Sequence, residues 1–79
     1  MKLYNLAKKV TNFIWDYDPY NARDYYGDDF GKAVFETLRS LNNVTQRQTI
    51  YEFLIDLVGE VSDLDAEYAQ ALAREVASI

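Results

Sequence analysis

The sequence predicts an all-α protein, a small bundle of four amphipathic helices plus one short helix after Pro19. Three observations predict it. Apolar residues recur at i, i+3, i+4 and i+7 over four stretches. The breaks between those stretches hold residues that stop or cap helices. No stretch alternates at a period of two with β-branched enrichment between turn signals, so no strand is expected. With 79 residues, no internal repeat and no linker longer than a few residues, the chain reads as a single helical domain, residues 1–79.

The first helix is expected over residues 3–17. Leu3, Leu6, Ala7, Val10, Phe13, Ile14 and Tyr17 make its apolar stripe, and Lys2, Lys8, Lys9 and Asn12 fall on the solvent side. Asp18-Pro19 ends it, because the residue before a proline is pushed out of the helical region. The same dipeptide can open a short helix over residues 19–26, with Asp as cap and Pro at the first helical position. Gly27 stands where a left-handed cap would close it.

Asp28 or Asp29 then caps a helix through about Leu41. Phe30, Val34, Leu38 and Leu41 form its stripe, flanked by Ala33 and Phe35, and Asn42-Asn43 end it in the left-handed region that Asn tolerates. Thr45 with Gln48 matches a capping box for the next helix, whose stripe is Ile50, Phe53, Leu54, Leu57, Val58 and Val61. Gly59 weakens its last turn. Ser62 with Asp65 repeats the capping signature for a last helix from Asp63 to about Ala77, with Leu64, Tyr68, Ala71, Leu72, Val76 and Ile79 expected inward. The short connections at 42–45 and 61–63 predict helical hairpins.

Composition narrows the chemistry. There is no Cys, which excludes disulfides and thiolate metal sites, and no His, the commonest metal ligand and general base. Twelve aromatic residues supply large apolar surfaces to a domain too small to bury much otherwise. The net charge of −5 and a pI of about 4.4 disfavour naked nucleic acid and anionic membranes, since both are bound through Lys and Arg. No apolar run reaches bilayer length, and residues 1–5 lack the pattern of a signal peptide, so a cytoplasmic protein is expected.

The stretch Trp15–Asp29 concentrates rings and carboxylates. Asp16 and Asp18 imitate the start of a calcium loop, but Tyr20, Asn21 and Gly27 stand where a carboxylate or Asn, a glycine and a bidentate Glu are required. No carboxylate pair has the spacing or context of an acid/base couple, and no glycine-rich phosphate loop is present. The sequence therefore implies no enzyme, no catalytic or metal-ligating residue and no cofactor.

Two binding readings remain. Glu52, Asp56 and Glu60 lie at i, i+4 and i+8 and line one helix face, and residues 52–79 hold seven acidic residues against one basic, Arg74. Such a row is either a solvated helix face or a surface that engages a basic surface on a protein partner, as an inhibitor or as a mimic of nucleic acid in a basic groove. Trp15, Tyr20, Arg23, Asp24, Tyr25 and Tyr26 complete the candidate partner-binding set, being residue types that suit interface hot spots. The alternative is a helix-turn-helix DNA-binding or regulatory protein. There Thr45, Gln46, Arg47 and Gln48 would read base edges, with Lys32, Arg39, Arg47 and the Lys8/Lys9 pair as the few candidates for phosphates. A monomer or weak homodimer is expected in either case.

Leu3-Tyr-Asn-Leu-Ala-Lys8, Tyr17-Asp-Pro-Tyr20 and Arg23-Asp24 resemble small acidic proteins of phages and conjugative elements of Gram-positive bacteria. The resemblance covers the first third of the chain. It implies a mobile genetic element as the setting and counteraction of host defence, where acidic DNA mimics are frequent, as the kind of role.

Overall fold

The computed structural model describes residues 2–17, 24, 27 and 29–79. Among them are four α-helices and no strand: α1 Lys2–Tyr17, α2 Phe30–Asn42, α3 Val44–Val58 and α4 Asp63–Ala77. The short helix expected after Pro19 falls on residues outside the described ones, apart from Asp24. The chain divides into two compact units, Met1–Arg39 and Ser40–Ile79.

In the first unit, α1 buries Leu6, Ala7, Val10 and Phe13, and its lysines and Asn12 face solvent as the stripe requires. Tyr17, expected in the core, is 36% exposed; its ring stacks on Phe13, centroids 6.4 Å apart and 6° from parallel. Trp15 meets Phe30 of α2 edge to face at 5.5 Å and 77°, a favoured geometry for two aromatic quadrupoles. Thr11, 5% exposed, is the one buried polar side chain among the described residues. Its hydroxyl donates to Thr37 Oγ1 at 2.9 Å, and the Thr37 hydroxyl donates onward to the Ala33 carbonyl at 2.9 Å. This relay ties α1 to α2 and satisfies a hydroxyl that would otherwise be costly to bury. On α2, Ala33 and Val34 are buried, whereas Phe35 lies 56% exposed. Gly27 has φ +58°, the left-handed conformation expected of it.

In the second unit, Asn43 both closes α2 and opens α3. Its N–H donates to the Ser40 carbonyl at 3.1 Å, its own carbonyl accepts from Arg47 N, and its side chain caps Gln46 N at 3.0 Å. The backbone is extended, φ −101° and ψ 123°, not left-handed. The capping pair is therefore Asn43 with Gln46, two positions earlier than Thr45 with Gln48. Asn was the stronger cap, and Thr45 lies inside the helix, where its carbonyl accepts from the Thr49 hydroxyl. Leu54 and Leu57 are buried, but Phe53, expected beside them, is half-buried.

Both Glu60 N and Val61 N donate to the Leu57 carbonyl and end α3. Ser62 then caps α4 as expected: Oγ accepts from Asp65 N at 3.5 Å and donates to the Asp65 carboxylate at 3.2 Å. Helices α3 and α4 pack against each other, the hairpin that the short 61–63 connection predicts.

The buried face of α4 keeps the expected Leu72 and Val76 but is turned toward Ala69 and Ala73, away from Leu64, Tyr68, Ala71 and Ile79. Ala69, Leu72, Ala73 and Val76 are buried, at i, i+3, i+4 and i+7. Leu64 is 80% exposed, Tyr68 44% and Ile79 47%, and Ala71 is also exposed. The face that packs is the one with small residues at its centre, because alanine lets two helices approach closely while Leu64 and Tyr68 would hold them apart.

Candidate functional site

The acidic row is built by α3 and the turn after it. Glu52, Asp56 and Glu60 are all exposed; Glu52 and Asp56 lie in α3, and Glu60 lies two residues beyond its last residue, Val58. Leu54 and Leu57 face the core, and at ~100° per residue Glu52 and Asp56 fall on the opposite side of the helix. Glu52 Oε1 accepts from Gln48 Nε2 at 3.4 Å.

Helix stability does not account for this row. Asp56 and Glu60 stand at the negative end of the α3 dipole, whose last turn contains no basic residue. A carboxylate there costs about 0.3–1 kcal/mol, and each like-charged i, i+4 pair costs a few tenths more. Asp63 and Asp65 differ, because they sit in the first turn of α4, at the positive end of a dipole. Those two have a structural reason to be acidic; Asp56 and Glu60 have none within their own helix. All seven carboxylates of residues 52–79 are exposed.

The aromatic segment is placed only in part. Trp15 is half-buried against Phe30, so much of its ring is committed to packing. Asp24 is exposed. Tyr20, Arg23, Tyr25 and Tyr26 lie outside the described residues. Trp15 and Asp24 belong to the first unit and the acidic row to the second.

The residues proposed for DNA reading divide by role. Thr45, Gln46 and Gln48 are exposed, but Arg47 is half-buried and its Nη1 donates to the Leu41 carbonyl at 3.0 Å. A guanidinium at the C-terminal end of α2 satisfies an orphan carbonyl and meets the negative end of that dipole. Arg39 pairs with Glu36 at 3.7 Å on the exposed face of α2.

Two features escaped the sequence reading. One is an open hollow of about 290 Å³ in the second unit, lined by Val44, Arg47, Gln48, Tyr51, Val76 and Ile79 among others. The other is the exposed Leu64 and Tyr68, whose i, i+4 spacing is that of a core stripe. Among the described residues no group of three or more His, Cys, Asp or Glu could hold a metal ion, and no helix is long and apolar enough to cross a membrane.

Fold and surface together define a small all-helical protein with an exposed acidic second unit. No protein-family model, no curated protein and no solved structure matches the chain.

Proposed function

We propose that this is a small acidic protein-interaction module whose partner is a protein with a basic surface. The observation that carries the reading is the position of Asp56 and Glu60: exposed, and set in the last turn of α3 and just beyond it, where carboxylates disfavour that helix. Exposed charge that does not serve its own helix is free to face a partner of opposite sign. A row of carboxylates along one helix repeats negative charge much as a nucleic-acid backbone does, so a basic groove that binds nucleic acid is a fitting partner. In that role the protein acts as a cytoplasmic inhibitor or decoy, and the resemblance to proteins of mobile elements suggests a host-defence protein as its target. Trp15 and Asp24, with Tyr20, Arg23, Tyr25 and Tyr26, form a secondary candidate surface.

The helix-turn-helix alternative is less favoured. Arg47, the one basic residue in the first turn of α3, is engaged at the end of α2, and the face beyond it is acidic. A pull-down from host lysate with wild type and the Glu52→Lys, Asp56→Lys double variant, at low and high salt, tests the proposal. Capture that falls with both the variant and salt supports it, and capture indifferent to both overturns it. A gel shift at micromolar protein in low salt would instead favour the DNA reader.

A further inference from the structure

We propose that the exposed face of α4 carrying Leu64 and Tyr68 is the apolar centre of the interface, and that its occupant is a basic amphipathic helix. The inference rests on the interaction reading above and adds where the partner's apolar side chains go.

Leu64 is 80% exposed and Tyr68 44%, and at i, i+4 they are neighbours on one side of the helix. Around the helix Tyr68 lies about 40° and Leu64 about 80° from the buried Leu72, so the pair carries the apolar side of α4 outward from the core into solvent. Carboxylates flank it on both sides. Asp65 follows Leu64 and Glu67 precedes Tyr68, which places them roughly 80–100° to either side of the stripe, and Glu75 continues the line of the stripe itself. No basic residue occurs in α4 before Arg74. Large apolar side chains rimmed by carboxylates complement an amphipathic helix with apolar anchors at i and i+4 and Lys or Arg along both margins. A second copy of this chain is disfavoured, because it would bring Asp65 and Glu67 against their own like and the chain already carries −5.

The test is fluorescence anisotropy with two labelled peptides of identical composition. One is a Lys/Arg-rimmed helix with a leucine stripe; the other has the same residues scrambled so that no stripe forms. The full chain should bind the amphipathic peptide at least tenfold more tightly than the scrambled one, as expected if one leucine becomes buried. Leu64→Gln should remove most of that preference while leaving salt-dependent binding of the scrambled peptide in place. The far-ultraviolet circular dichroism of Leu64→Gln should match wild type, since the position is exposed. Equal binding of both peptides, or a preference unchanged by Leu64→Gln, overturns the apolar face and leaves the acidic reading standing. Binding of neither peptide at low salt overturns the acidic reading as well.

Discussion

Leu72→Ala and Leu64→Ala make the same chemical change on one helix, and their effects on stability should differ severalfold. Leu72 is 1% exposed and lies between Ala69, Ala73 and Val76 on the buried face. Truncating it removes buried methyl groups and leaves a cavity, which costs about 2–5 kcal/mol. Leu64 is 80% exposed and has little contact area to lose, so its truncation should stay within about 0.5 kcal/mol. For a chain of this size each kcal/mol shifts the midpoint by roughly 4–8 °C, so Leu72→Ala should melt at least 8 °C lower and Leu64→Ala near wild type. Thermal unfolding followed at 222 nm, with urea titration as a second probe, measures both. Equal losses, or a larger loss for Leu64→Ala, would show that α4 packs through the stripe of its large residues and that the assigned face is wrong.

Other substitutions read out single positions. Gly59 has φ −81° and open space where a Cβ would stand, its nearest neighbour being a carbonyl oxygen at 4.0 Å, so Gly59→Ala should stabilise by about 0.4–1 kcal/mol. Gly27→Ala has space too, but φ +58° should make it destabilising by about 1–2 kcal/mol; the two opposite signs in one denaturant series check the backbone assignments. Thr11→Val should cost about 1 kcal/mol, and a double-mutant cycle with Thr37→Val should return a coupling of about 0.5–1.5 kcal/mol, whereas zero coupling would mean that the relay contributes nothing. Asn43→Ala should cost about 1 kcal/mol and Thr45→Ala far less, and the reverse order by urea unfolding would restore Thr45 as the cap.

How far the sequence could be read depended on how sharp each signal was. The start of α4 was set by Ser62 with Asp65, a feature with few alternatives, whereas the stop expected at Asp18-Pro19 lies outside the described residues. At the start of α3 the Thr45 and Gln48 spacing matched a capping box, but Asn43, read only as the end of the helix before, is the residue that caps. On α4 Leu72 and Val76 were read correctly, but Ala69 and Ala73 were missed because periodicity weights large apolar residues, while the packing there also rests on these two, whose small size is the reason they fit. Thr11 was missed for a related reason: its hydroxyl is buried only because Thr37, on another helix, accepts from it. The exposure of Glu52 and Asp56 could be read directly, since their spacing placed them away from Leu54 and Leu57; Glu60 is exposed in the turn beyond the helix. What they bind could not be read, because the chemistry that selects a partner lies half on the partner.

The proposed function is tested most directly by Asp56→Lys, in which stability and binding should move in opposite directions. Reversing this charge at the negative end of α3 should stabilise the fold by about 0.3–1 kcal/mol, visible as a raised thermal midpoint. The same variant should bind the Lys/Arg-rimmed peptide more weakly than wild type at low salt, with a shallower dependence on salt concentration. A variant that is more stable and binds as well as wild type, with the same salt dependence, would contradict a binding role for the acidic row.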